Sequence, residues 1–188
     1  MTLLFVDGWF GPEPGDWQSV WCDRYPGSKR FAQDDWDEPV REDWVANLDE
    51  ALVETTAPPV LVAHSLGCLT VLHWLAGGGD RPVRGALFVT PADVEENPEP
   101  ALAGFAPIPR LTLPFPAVVA ASANDRWMTP ARARSFAGIW GAEFADIGPV
   151  GQPHRYPRSV ARRREAARHP ALGAVRSGIE KRRRPGFA

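Results

Sequence analysis

An apolar run that ends in a serine between small residues is the feature that most limits how this chain can fold. The run reads VLVAHSLGC over residues 60–68, and a helix-like pattern follows at once. A strand, a tight turn and a helix are therefore predicted, with the hydroxyl of Ser65 at the apex. In a G-x-S-x-G turn the residues two before and two after the serine must be small, because the backbones run close together. Ala63 and Gly67 meet that requirement, although a buried serine in an ordinary βα turn is the alternative interpretation.

Apolar runs and amphipathic segments alternate along the first 150 residues. Strands are predicted over residues 3–6, 28–33, 60–64, 83–89, 115–121 and 142–147, and helices over 17–25, 41–56, 66–76 and 130–140. Strands that are apolar throughout are typical of a sheet covered on both faces. The alternation with helices predicts an α/β fold with a doubly wound, mostly parallel sheet.

The segment from Thr90 to Pro114 is the longest predicted loop. It is acidic and rich in proline. Loops of this length in compact domains are usually lids or binding segments, so we expect one of these roles here.

Candidate catalytic groups follow the predicted strands, at the edge where α/β sheets carry their chemistry. A serine becomes a useful nucleophile when a histidine takes its proton and a carboxylate orients that histidine. Ser65, Asp125 and His154 occur in the order Ser, Asp, His, each after a predicted strand. Asp125 has an alternative role as a turn or capping residue before the helix at Pro130, and Asp93 is the rival acid.

Two backbone N–H groups are candidates for stabilising a negatively charged oxygen. Leu66 follows the serine at a helix start, and Trp9 lies in the loop after the first strand. Gly8-Trp9 is alternatively a plain turn with a packed aromatic ring. His64 and His73 are weaker catalytic candidates, and they have no metal-ligand spacing with cysteine or carboxylate. No nucleotide-binding glycine motif occurs, so neither a metal nor a cofactor is predicted.

The net charge of −2 conceals two oppositely charged parts. Residues 1–150 hold 10 basic and 21 acidic side chains, a net charge of −11, whereas residues 151–188 hold 11 and 2, a net charge of +9. The two cysteines are expected to be reduced thiols. Neither a signal peptide nor a membrane span is visible, so we expect a cytoplasmic protein.

Five sequence features together resemble the retinoblastoma-binding-protein-9 and YdeN-like serine hydrolases. They are DGW at 7–9, AHSLGC at 63–68, SAND at 122–125, AGIWG at 137–141 and a tryptophan-rich first third. The resemblance covers about residues 3–151. It implies a three-layer α/β-hydrolase fold in one domain, residues 1–151, with Ser65 as nucleophile and Asp125 as acid. It also implies activity on small esters or amides.

The chain departs from that family directly after the last predicted strand. The family has Gly-His-Ile followed by Asn or Asp, whereas this chain reads VGQPHRYP at 150–157, with Gln152 in place of the histidine. A four-base duplication, GCCA, in codons for Gly-His-Ile-Asp-Thr would give Gly-Gln-Pro-His-Arg-Tyr followed by proline. Our hypothesis is that the arginine-rich tail, residues 152–188, is a frameshift product and poorly ordered.

A genuine basic arm is the competing interpretation of the tail. The arginines at 162–164 and the basic run at 181–184 are suited to contacting phosphates. The tail has few aromatic residues for stacking on bases and no nucleic-acid-binding module, so a nucleic-acid partner is not predicted. The sequence predicts a serine hydrolase whose partner is a small ester or amide. A catalytically silent binding protein with the same fold is the alternative.

Overall fold

Within residues 2–151 six strands lie side by side in one sheet, and every neighbouring pair runs parallel. The computed structural model describes residues 2–151. The strands are β1 (Leu3–Val6), β2 (Lys29–Arg30), β3 (Val60–His64), β4 (Gly85–Val89), β5 (Ala117–Ala121) and β6 (Glu143–Asp146). Their order across the sheet is β2-β1-β3-β4-β5-β6. The predicted α/β fold with a parallel sheet is confirmed.

In the described part of the chain four α-helices accompany the sheet. They are α1 (Trp17–Arg24), α2 (Arg41–Val53), α3 (Leu66–Ala76) and α4 (Pro130–Trp140), and a short 3-10 helix covers Pro100–Phe105. Side-chain caps fix two of the helix starts: Asp16 accepts from the N–H of Ser19, and Thr129 accepts from the N–H of Arg132. These caps satisfy N–H groups that have no acceptor within the helix.

The helical spacing of the sequence predicts an apolar face for α4 and another for α2. The face predicted for α4 is Ala133, Phe136, Ala137 and Trp140, and these are its buried residues. The face predicted for α2 is Trp44, Val45, Leu48, Leu52 and Val53. Of these Trp44, Leu48 and Leu52 are buried and Val45 is half-buried, but Val53 is 57% exposed and Ala51 is buried instead. The helix ends at Val53 rather than at Thr56, so Val53 lies in its last turn, facing solvent.

Four of the predicted strands are longer than the observed ones, and β6 is shorter than predicted by one residue at each end. Strand β2 pairs only through Lys29 and Arg30, against Leu4 and Phe5 of β1. Strand β4 begins at Gly85 and β5 at Ala117. The start of β5 follows Pro116, which has no N–H to donate to a ladder.

The long loop over residues 90–114 is packed onto the domain. Leu102, Phe105 and Ile108 are buried within it. The indole Nε1 of Trp140 donates to the carbonyl of Pro109 at 2.9 Å. The loop therefore adds to the core beside α4, and its role as a lid or binding segment stays a prediction.

The described residues all belong to one compact unit. Across residues 2–151 no helix has both the length and the apolar character that a membrane crossing needs. The tail that we predicted to be a separate part, residues 152–188, lies outside the described residues.

Candidate active site

Ser65 occupies a strained turn between β3 and α3. Its backbone angles are φ 51° and ψ −117°, a conformation that residues with a side chain rarely adopt. Holding a residue there costs about 1–3 kcal/mol, and such strain concentrates at functional sites. This geometry differs from an ordinary βα turn, and it presents the serine at the carboxyl edge of the sheet.

The end of β1 presses against this turn at two glycines. A Cβ at Gly67 would lie 2.2 Å from the carbonyl oxygen of Val6 and 2.6 Å from that of Asp7. A Cβ at Gly8 would lie 2.9 Å from the Cβ of Ser65. Position 67 requires a small residue because the backbones of β1 and α3 approach closely there. The contact at Gly8 places the loop after β1 directly beside Ser65.

The end of β4 holds the backbone of Ser65 on both sides. The Ser65 N–H donates to the carbonyl of Val89 at 3.1 Å, and the Ser65 carbonyl accepts from the N–H of Ala92 at 3.2 Å. Thr90 lies between these partners with φ at 42°. The strained turn at Ser65 is therefore supported by a second strained turn on the neighbouring strand.

A thiol lies close to the serine in sequence, but it is inaccessible. Cys68, in the first turn of α3, is 0% exposed, and its Sγ lies 3.8 Å from the carbonyl oxygen of Val89. Burial raises the pKa of the Cys68 thiol well above its ordinary value. Since the thiolate is the reactive form, this cysteine is not a competing nucleophile.

The two predicted oxyanion donors belong to segments that adjoin Ser65. Leu66 is the first residue of α3, where N–H groups have no acceptor within the helix. Trp9 follows Gly8 in a tight turn in which the N–H of Gly11 donates to the carbonyl of Gly8 at 3.0 Å. Their role as donors to a substrate oxygen stays a prediction.

The loop that carries Trp9 is tied to the acidic loop before α2. The N–H of Phe10 donates to the carbonyl of Trp36 at 3.0 Å, and Phe10 has φ at 72°. The indole Nε1 of Trp9 donates to the carbonyl of Asp37 at 2.8 Å. Sequence reasoning missed these anchors, because backbone carbonyl acceptors leave no residue-type signal.

Asp125 lies just beyond β5 and is half-buried. Its Oδ1 accepts from the N–H of Trp127 at 2.8 Å. Burial raises the pKa of the Asp125 carboxyl, and hydrogen bonds from the N–H groups of Trp127 and Met128 oppose that rise. The cap of α4 is Thr129, so the alternative role of Asp125 is limited to a turn.

Asp93, the rival acid, is fully engaged elsewhere. It is 1% exposed, and both its oxygens contact the guanidinium of Arg132. Its Oδ1 also accepts from the N–H groups of Glu95 and Glu96 at 3.1 and 3.0 Å. These contacts hold Asp93 as a structural anchor of the loop after β4, which favours Asp125 as the acid.

Asp7, the first residue of the DGW motif, is a buried titratable group for which the sequence predicted no role. It lies at the end of β1, and its Oδ2 is 2.8 Å from Nε of Arg30 on β2, without the alignment of a hydrogen bond. Burial raises the pKa of Asp7 to about 7, and the charge of Arg30 only partly opposes that rise.

Two histidines, His64 and His73, lie within the described residues, and the ring of each contacts a group outside the proposed triad. His64, the last residue of β3, is buried with its ring edge-on to Trp17, at 5.9 Å between centroids. Nε2 of His73 lies 2.8 Å from the carbonyl oxygen of Phe105. His154, the predicted base, and Gln152, which takes the place of the expected histidine, lie outside the described residues.

Comparison with known protein families identifies the family to which the chain belongs. A family model described as "Serine hydrolase" matches residues 3–154, most of the chain. The chain belongs to the serine hydrolase family. A search of curated proteins found no match.

Solved structures agree with this assignment. A protein from Pectobacterium atrosepticum described as a YdeN-like hydrolase is 28% identical, with a TM-score of 0.72 over 80% of this chain and 78% of that one. The ydeN gene product of B. subtilis is 18% identical, with a TM-score of 0.64 over 81% and 87%. The esterase domain of a Rhodothermus marinus protein is 15% identical, with a TM-score of 0.61 over 81% and 78%. The expected resemblance to YdeN-like hydrolases of the three-layer α/β-hydrolase fold is thus confirmed.

Proposed function

We propose that this serine hydrolase cleaves small carboxylic esters or amides through an acyl-enzyme, with Ser65 as nucleophile. The observation that carries the proposal is the strained turn at Ser65, with φ at 51° and the loop after β1 pressed against it. Membership of the serine hydrolase family supports the same role.

The chemistry proceeds in two halves. Oγ of Ser65 attacks the carbonyl carbon while a histidine takes the hydroxyl proton. The resulting oxyanion is stabilised by the N–H groups of Leu66 and Trp9, and the histidine then returns the proton to the departing alcohol or amine. Water attacks the acyl-enzyme by the same route, releasing the acid and restoring Ser65. Asp125 orients the histidine and stabilises its charged form.

The base in the chain as written is His154, two residues past the position where the family has its histidine. Its placement after β6 fits the order of strands at the active edge, since β6 is the neighbour of β5. Pro153 separates it from Gln152. The mechanism requires that the imidazole of His154 accept the proton from Oγ of Ser65, so it depends on where the tail places that imidazole.

The substrate class is supported by membership of the serine hydrolase family and by the esterases among the similar solved structures. Small esters are the preferred substrates in this proposal, and neither a nucleic acid nor a membrane is a partner. We also propose a cytoplasmic location, because Cys22 and Cys68 are both free thiols.

A fluorophosphonate probe tests the nucleophile directly. The wild-type chain should be labelled, Ser65→Ala should not, and Ser135→Ala should be labelled like the wild type because Ser135 is exposed on α4. Intact-protein and peptide mass spectrometry should place the adduct on Ser65. Labelling that survives Ser65→Ala would overturn the assignment.

The catalytically silent alternative is separated by the same experiment. A folded wild-type chain that is not labelled, and that does not hydrolyse p-nitrophenyl acetate above the Ser65→Ala background, would be a binding protein or one inactivated by its tail. Labelling together with hydrolysis supports the enzyme.

A further inference from the structure

Two tryptophans from opposite sides of the site meet above the sheet edge. Trp9 follows β1 and Trp127 follows β5, and their ring centroids lie 6.5 Å apart with the planes at 75°. Edge-to-face contact of this kind is a favourable arrangement of aromatic rings. It joins the loop of the second oxyanion donor to the loop of the acid.

The order of strands fixes where this contact lies. Strands β3 and β4 separate β1 from β5, and three steps of about 4.8 Å span about 14 Å. The two loops therefore meet by reaching over the ends of β3 and β4. Ser65 stands directly after β3 with Gly8 against it, so one of the two rings belongs to the residue that follows the glycine in contact with the nucleophile.

Both rings are held firmly. Trp9 is 9% exposed, stacks on Phe10 at 4.2 Å between centroids and donates its indole N–H to Asp37. Trp127 is 8% exposed, and its carbonyl accepts from the side-chain amide of Asn97. The Asn97 bond fixes the backbone that carries Trp127. The ring itself is held by burial, by Trp9 and by the guanidinium of Arg126 at 5.8 Å, so neither ring is free to swing into solvent.

We propose that Trp9 and Trp127 form a rigid aromatic wall that limits the acyl group of the substrate to short chains. This inference rests on the proposed function. With the carbonyl oxygen held at the N–H of Trp9, the substrate carbonyl lies beside the loop that carries the Trp9 ring, and we place the wall on its acyl side. Acetyl to butyryl groups pack against the wall, whereas longer chains collide with Trp127.

Hydrolysis of p-nitrophenyl acetate and p-nitrophenyl hexanoate measures this selectivity. Trp127→Ala should raise kcat/KM for hexanoate relative to acetate by about tenfold or more, since a few methylenes in an apolar pocket are worth that much. Trp127→Phe should change the ratio little. Trp21→Ala, an exposed tryptophan on α1, should leave the ratio unchanged. Trp127→Leu replaces the alanine variant if the latter does not fold.

An unchanged ratio in a folded, active Trp127→Ala or Trp127→Leu would overturn the wall while leaving the proposed function intact. The aromatic wall would also be overturned if Trp127→Ala changed only the selectivity for the alcohol group, measured as the ratio of kcat/KM for butyl acetate and methyl acetate. A purely structural role of Trp127 would lower both ester rates together and leave their ratio unchanged.

A binding measurement tests the aromatic wall even if the chain turns over nothing. In Ser65→Ala, titrations with 2-butanone and 2-octanone, followed by tryptophan fluorescence, should show 2-octanone gaining about tenfold in relative affinity when Trp127→Ala is added. Equal relative affinities with and without Trp127→Ala would overturn the wall whether or not Ser65 is the nucleophile.

Discussion

Gly67 is the glycine at which the addition of one methyl group should lower stability the most. In Gly67→Ala the new Cβ would overlap the carbonyl oxygens of Val6 and Asp7, at 2.2 and 2.6 Å. Because both contacts are backbone atoms, β1 and α3 must move apart. We expect the free energy of unfolding to fall by about 3 kcal/mol or more, measured by urea denaturation, and fluorophosphonate labelling of Ser65 to be lost.

Gly138→Ala is the matched control for that change. Gly138 is exposed in α4, and a Cβ there would meet nothing within 4 Å. Alanine is the better helix former by up to about 1 kcal/mol, so this variant should be at least as stable as the wild type. Equal effects of the two substitutions would contradict the close approach at Gly67.

Asp7 should make stability depend on pH in an unusual direction. Its pKa is about 7 in the folded chain against an ordinary value of 3.8, so the folded state holds a proton that the unfolded state releases. Stability therefore falls as the pH rises from about 4 to about 7, by at most about 1.4 kcal/mol per pH unit for this one proton.

The variant Asp7→Asn should remove that part of the slope. Unfolding in urea at pH 4.5, 6 and 8 measures it, and the variant should gain stability relative to the wild type as the pH rises. Arg30 keeps its hydrogen bond to Oγ of Ser19 at 3.1 Å, which limits the cost of losing the carboxylate. Parallel pH profiles for the two proteins would show that Asp7 is ionised throughout.

Among the elements, the loop after β4 depends on one arginine of α4. Arg132 contacts Asp93, Glu95 and Glu96, and Asp93 is almost fully buried. Arg132→Met should cost about 3–5 kcal/mol in urea denaturation, because it leaves a buried carboxylate without its counter-charge. Asp93→Asn combined with Arg132→Met should recover part of that loss. Additive effects of the two changes would contradict the coupling.

The elements that were predictable are those with a periodic pattern or a turn signal. Helix α4 combines Pro130 at its start, an apolar stripe and Gly141 at its end, and its predicted bounds are the observed ones. Strand β2 consists only of Lys29 and Arg30, at the edge of the sheet, and two residues are too few to show a periodic pattern. The positions of Ser65 and Asp125 after β3 and β5 were predictable from the pattern of apolar runs. The partners of Asp93 and Asp7 were not, because Arg132 and Arg30 are distant from them in sequence.

At the scale of the whole molecule, the catalytic base depends on the reading frame of the tail. We expect the codons for Gln152 to Tyr156 to restore Gly-His-Ile-Asp when four bases are removed. The repaired chain should hydrolyse p-nitrophenyl acetate about a thousandfold faster or more than the chain as written, because the three groups act as a unit. Codons that cannot be restored in this way would exclude the frameshift, and a loss of labelling in His154→Ala would assign the base to His154.

Because the thiol of Cys68 is inaccessible in the folded domain, its rate of chemical modification can be used to measure unfolding of the core. A disulfide reagent such as 5,5′-dithiobis(2-nitrobenzoate) should react first with the half-buried Cys22, and with Cys68 only in molecules whose core has transiently come apart. The slower rate then measures the population of opened molecules directly. Each destabilising variant can be ranked under native conditions by how fast that second sulfur is consumed.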